Sequence, residues 1–238
     1  MNTFATFRLP DGSTIELVDW VDKPLFSTGE MLSGFSDASL ELFTYEVGAE
    51  VSSTQNITSR RQSTENDTNM QAAGSMTSSE EMLVYSIKPE FFEFTITGTD
   101  ATAAVASAPG QPMMRPSVLK QLHADLILRL RVTQKAYVEA GLGYFNTGFG
   151  VLAAGGHTSG ALADANVRTY ASQGNPTSEA VRAFAMPHHI GGTEKYQVEL
   201  RNYAGDVITF RDEAGAAMDE ALVRARIYMD GMRKRPTA

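Results

Sequence analysis

Cysteine is missing from all 238 positions. No disulfide can staple this chain, no thiolate can hold a metal, and no thiol can act as a nucleophile. Histidine is scarce at four residues and tryptophan scarcer at one, so imidazole chemistry has few places to arise. No apolar run approaches the roughly 20 residues that a membrane-spanning helix needs. The first residues, Met1-Asn2-Thr3-Phe4-Ala5-Thr6-Phe7-Arg8, lack the basic-then-apolar order of a secretory leader. The expectation is a soluble product made in a cytoplasm.

Positive charge is the next shortage. Lys and Arg number 20 against 28 Asp and Glu, a formal net charge of −8. A dedicated nucleic-acid-binding domain usually has the opposite balance. What the chain does hold is ordinary globular material, with 42% hydrophobic and 20% charged residues over a length that can bury a real core. No internal repeat is visible, which argues against a propeller or solenoid.

The clearest pattern lies near the C-terminus, in Asp219-Glu220-Ala221-Leu222-Val223-Arg224-Ala225-Arg226-Ile227-Tyr228-Met229-Asp230-Gly231. Read with a period of two, Ala221, Val223, Ala225, Ile227 and Met229 share one side. Leu222, Arg224, Arg226, Tyr228 and Asp230 share the other. That is a strand with one buried and one more polar face. Read as a helix, the two arginines point to nearly opposite sides and no apolar stripe forms. A strand so late in the chain must pair with strands made earlier.

Those earlier strands can be picked out. Thr3 to Leu9 and Thr14 to Trp20 flank Pro10-Asp11-Gly12-Ser13 and read as a hairpin. Val21 to Ala38 reads as irregular, punctuated by Pro24, Gly29 and Gly34. Leu40 to Val47 reads as a strand. Ser52 to Ser79 is dense in Ser, Thr, Asn and Gln, either an exposed loop or an arm that orders on assembly. Met82 to Ile87 and Phe91 to Thr97 are strands expected to break at Pro89. Pro116 to His123 fits a short helix, and Leu126 to Thr133 alternates as a strand. Ala136 to Gly141 and Leu142 to Phe149 read as extended, Ala153 to Pro176 as mostly loop. Ala183 to Met186 reads as a short strand closed by Pro187. Glu194 to Arg201 and Asp206 to Arg211 read as a second hairpin. About eight strands between Met82 and Asp230, with little helix, predict an all-β sandwich of two antiparallel sheets. The expected division is an N-terminal hairpin and arm over 1–80 and the sandwich over 81–238.

Catalytic signatures are not found in the sequence. His188-His189 fits polar residues in a turn, and neighbours in a strand would point to opposite faces rather than to one ion. Gly155-Gly156-His157-Thr158-Ser159-Gly160 lacks the Gly-Lys-Ser/Thr ending of a phosphate loop. The pairs Glu80-Glu81 and Asp212-Glu213 sit at loop edges and are expected to be solvated. No enzyme, cofactor or metal is expected. Arg233-Lys234-Arg235 is a short basic cluster. It is either a solvated tail or a contact with acidic material: a packaged genome, a lipid head-group layer or an acidic neighbour.

Three stretches resemble the jelly-roll structural proteins of tailless icosahedral bacteriophages. They are Gly143-Tyr144-Phe145-Asn146-Thr147-Gly148, Met186-Pro187-His188-His189-Ile190-Gly191-Gly192-Thr193-Glu194-Lys195-Tyr196-Gln197-Val198, and Ile227-Tyr228-Met229-Asp230-Gly231-Met232-Arg233-Lys234-Arg235-Pro236. The likeness lies in short strands, an irregular N-terminal arm and a last strand ending in a basic tail. It covers Met82 to Pro236, while the hairpin before Trp20 departs from a minimal single jelly roll. The resemblance implies two four-stranded sheets in jelly-roll order, protomers that assemble into a shell, and no catalytic residue. The expected protein is a capsid subunit, major or minor, located in the virion after synthesis in a host cytoplasm. Its expected partners are copies of itself, other virion proteins, and genome or internal lipid through Arg233, Lys234 and Arg235. The alternative is a β-sandwich binding module, such as a tail or adhesin component or a carbohydrate-binding domain. That reading needs exposed aromatics on one face, for which Phe91, Phe92 and Phe94 are the candidates.

Overall fold

The computed structural model describes residues 6–8, 12–33, 39–51, 62–77, 79–96, 116–145, 147–149, 152–154, 170–172, 176–181, 183–203, 209–211, 217 and 221–234. The strands begin with β1 (Thr6–Arg8), β2 (Thr14–Glu16), β3 (Trp20–Asp22), β4 (Leu25–Leu32), β5 (Ser39–Leu42) and β6 (Met82–Ile96). One helix, α1 (Pro116–Asp125), leads into β7 (Leu126–Val132) and β8 (Lys135–Gly141). Four short strands follow: β9 (Thr147–Phe149), β10 (Leu152–Ala154), β11 (Tyr170–Ser172) and β12 (Pro176–Val181). The chain then forms β13 (His188–Ile190), β14 (Tyr196–Asn202) and β15 (Ala221–Lys234). The protein is all-β and sandwich-like, with antiparallel sheets.

The last strand lies at the middle of the larger sheet. In the order β13-β6-β15, the far side of β15 is shared by β3 and β4. The amide of Lys23 donates to the Gly231 carbonyl at 3.2 Å, so the two short strands act as one interrupted partner. Val223, Ala225, Ile227 and Met229 are fully buried, the face that the alternation predicts. The second sheet has the order β5-β14-β7-β8. Leu128, Leu130 and Val132 of β7 point inward beside Tyr196, Val198 and Leu200 of β14, all buried. Each such side chain contributes about 1.5–3 kcal/mol before chain entropy is subtracted.

The two sheets approach closely where side chains are small. Gly29 on β4 pairs with Ala225, and a Cβ on Gly29 would sit 2.7 Å from the Leu42 side chain and 2.8 Å from that of Leu40. Glycine there lets β5 lie over β4. The pairing is also nested along the chain. β4 pairs with β15, β5 with β14, β6 with β13 and β7 with β8. Among these eight strands, every connection except β7 to β8 passes from one sheet to the other.

Several expectations need correction. Val21 to Ala38 contains β3 and β4, because Pro24 falls between the two strands and Gly29 serves packing rather than a turn. The boundary expected at residue 80 separates no packing unit among the described residues: Trp20, Leu25, Met31, Leu40, Leu42, Phe43, Met70 and Met76 are all buried. Part of the expected arm is tied down as well. Asn69 Oδ1 accepts from the Phe26 amide at 3.0 Å, and Thr68 Oγ1 donates to the Phe26 carbonyl at 3.0 Å. Residues 52–61 lie outside the described residues.

Pro89 does not end a strand but sits inside β6 opposite Ile227. No described strand pairs with the other side of β6 there, and an open edge tolerates a missing donor. Ala183 to Met186 forms no strand; the strand begins at His188. β14 has β5 and β7 on its two sides, and residues 209–211, the described part of the expected partner strand, do not pair with it. Residues 204–208, Asp212, Glu213 and the Gly155–Gly160 stretch lie outside the described residues. The N-terminal hairpin is present, with Phe7 opposite Ile15, and the expected helix is α1, which buries Val118, Leu119 and Leu122.

Candidate interaction surface

One member of the C-terminal basic cluster, Arg233, is internal. β15 runs on past Gly231 to Lys234, where the sequence suggested a tail. This extension continues the inward phase 223-225-227-229, so Gly231 and Arg233 also face in. Arg233 is only 6% exposed, and its Nη2 donates to Glu80 Oε1 at 2.8 Å. Burying that guanidinium requires a charge partner, and Glu80, 8% exposed, is that partner. Burial also raises the phenol pKa of Tyr196, with Arg233 opposing the rise and Glu80 adding to it. Lys234 Nζ lies 2.9 Å from Glu81 Oε1 and keeps 37% of its side chain exposed. Arg235 lies outside the described residues. Glu80 and Glu81 are thus both paired, which corrects the expectation that they are merely solvated.

Glu81 has a second partner. His189 Nε2 is 2.9 Å from Glu81 Oε2, because β13 pairs His189 with Leu83 at the start of β6. The hydrogen bond from Lys234 pulls the Glu81 pKa down, burial pushes it back up, and the His189 contact lowers it again. His188 points the other way, as strand alternation requires. Its ring lies 4.8 Å from Phe184 and 5.3 Å from Tyr137 of β8. Desolvation there lowers the His188 pKa. The two histidines therefore sit in a strand rather than a turn and do not converge. Among the described residues, no group of three or more His, Asp and Glu could hold a metal.

The outer face of the second sheet carries a charge network. Arg129 Nη2 meets Glu139 Oε1 at 2.8 Å, and Arg131 Nη1 meets Glu199 Oε1 at 3.0 Å. Arg129 Nη1 also lies 3.6 Å from Glu199, and Arg201 Nη2 lies 3.5 Å from Glu139. Gln197 Nε2 donates to Glu199 Oε1 at 2.6 Å. The hydrogen bond from Arg129 holds the Glu139 carboxyl below its ordinary pKa. These arginines are matched across strands β7, β8 and β14, so the face is a stitched ion-pair network rather than a bare basic patch.

The edge of that sheet is different. β8 uses one side on β7, and no described strand pairs with the other. Most of its residues are exposed, and an open edge offers unpaired backbone donors and acceptors. An aromatic cluster adjoins it: Tyr137, 40% exposed, with Phe184, His188 and the exposed Met186 close along the chain. Lys135 Nζ lies over the Tyr137 ring at 5.1 Å from its centroid. Phe91 is buried, which removes it as a platform residue; the side chains of Phe92 and Phe94 lie outside the described residues.

No protein-family model matches the chain, and no curated protein or solved structure proves similar to it.

Proposed function

We propose that the chain is a jelly-roll subunit of a virus shell, a capsid protein that assembles with copies of itself and with other shell proteins. The observation that carries this reading is the nested strand pairing, β4 with β15, β5 with β14, β6 with β13 and β7 with β8. A long hairpin rolled into two sheets gives this order, the one expected of a jelly roll. That architecture serves capsid and lectin domains and also cupins. Fold alone does not choose among them. The shell reading is favoured by the open β8 edge, because edges and exposed aromatic or methionine side chains suit contact with a neighbour. Arg233 is held by Glu80, so a contact with genome or lipid head groups rests on Lys234, which keeps 37% of its side chain exposed while pairing with Glu81, and on Arg235. The test is direct. Purified protein should form particles or defined oligomers by light scattering and negative-stain microscopy. A monomer that persists at the highest soluble concentration refutes the reading.

A binding module is the second reading, favoured by the exposed Tyr137 beside the half-buried Phe184 and His188, since an exposed ring can stack on a sugar. It requires a monomer that binds a glycan on a microarray and loses that binding in Tyr137→Ala.

A further inference from the structure

We propose that His188 is an acid-sensitive clasp between the edges of the two sheets, and that its protonation loosens the seam where β8 meets β13. The two strands belong to different sheets and share no ladder. The described link between them is made by rings: His188 of β13 packs edge-on against Tyr137 of β8, with Phe184 on its other flank. A neutral imidazole suits that half-buried aromatic setting. A charged one is disfavoured because it loses hydration among apolar rings.

Among the described residues, the groups that face the clasp come from β8, from the segment before β13 and from β13 itself. β8 supplies Lys135 and Tyr137. The segment before β13 supplies Phe184, which carries no charge, and its amide donates to the Tyr85 carbonyl of β6 at 2.7 Å. On the opposite face of β13, His189 is engaged by Glu81, which Lys234 also holds. That carboxylate therefore turns away from His188 and does not offset a charge there. Desolvation already favours the neutral His188. Acidification below the ordinary histidine range is what drives the change.

Two features locate the consequence. β13 is only three residues long and pairs with β6 over that length alone. β8 is held by β7 on one side and carries a bulge between the partners of Leu130 and Arg131. Both are low-stability edges, so the clasp governs local opening rather than global unfolding.

Amide hydrogen exchange on the full chain at pH 7.5 and 5.5, corrected for the intrinsic rate, tests the proposal. Peptides covering 135–141 and 184–190 should lose protection about fivefold or more at the lower pH, while peptides from β7 and β14 stay protected. His188→Phe keeps a ring between Tyr137 and Phe184 but cannot be protonated, so its seam should show no such pH dependence. Equal protection of the wild-type seam at both pH values overturns the proposal, as does an unchanged response in His188→Phe. If His188→Phe fails to fold by circular dichroism, titration of the His188 ring protons by NMR decides. A titration that coincides with exchange of the seam upholds the proposal; one uncoupled from it overturns it.

Discussion

Replacing Arg233 by Met asks whether this arginine belongs to the fold or to a tail. Its side chain is 7% exposed and that of Glu80 is 11% exposed, with 2.8 Å between Nη2 and Oε1. Charge centres roughly 4 Å apart attract by about 4 kcal/mol at an effective dielectric of 20. Much of that only offsets desolvation, but removing one partner strands the other charge, and such losses run to about 3–5 kcal/mol. The expected cost of Arg233→Met is therefore about 3 kcal/mol. Lys234 is the internal control. Its pair with Glu81 has side-chain exposures of 37% and 30%, so Lys234→Met should cost no more than about 1 kcal/mol. Urea unfolding can be followed through Trp20, the only tryptophan, which is buried and lies opposite Lys234 in the ladder. Removing both charges, Glu80→Leu with Arg233→Met, should recover most of the loss because no unpaired ion remains buried. An Arg233→Met variant as stable as Lys234→Met refutes the buried-pair argument and returns Arg233 to the tail.

Gly231→Ala should destabilise by about 3 kcal/mol or more, because a Cβ there would overlap the Leu83 carbonyl oxygen at a bulge. Gly141→Ala, with nothing within 4 Å of the added atom, should stay within about 0.5 kcal/mol of wild type in the same urea titration. Stability should also fall in two stages on acidification. His123 and His188 have folded pKa values below the ordinary 6.5, chiefly through desolvation. Their stabilisation is complete above 6.5 and declines as pH drops from there toward their folded values. Glu81 sits below its ordinary 4.5, so its share persists to lower pH and is lost as pH falls through its folded value. His123→Phe should flatten part of the first stage in a pH series of urea midpoints; an unchanged profile contradicts the assignment.

How much of this was legible in the sequence depended on whether a feature was local. The inward face of β15 and the alternation in β7 and β14 follow from a period of two, and all three strands stand where that period puts them. β3 and β4 are hard to see in the sequence because Pro24 and Gly29 look like punctuation. Gly29 is there for a contact about a dozen residues away in sequence, with Leu40 and Leu42, and no local rule distinguishes a packing glycine from a turn glycine. Pro89 misled for a similar reason: whether a proline breaks a strand depends on which side of that strand is paired, a property of the sheet. The nested pairing is invisible to any window, since β4 and β15 join residues nearly 200 positions apart, as in Arg224 with Glu30. Arg233 is the instructive case. The phase that buries Val223 through Met229 reaches it unchanged, so its burial was legible, and the basic run Arg233-Lys234-Arg235 hid it. A strand has no reason to end at a glycine when that glycine has an inward place to fill, and Gly231 is buried against β6. Once β15 is carried through it, Arg233 must turn inward, and the chain must supply a buried carboxylate just before β6. Glu80 meets that demand.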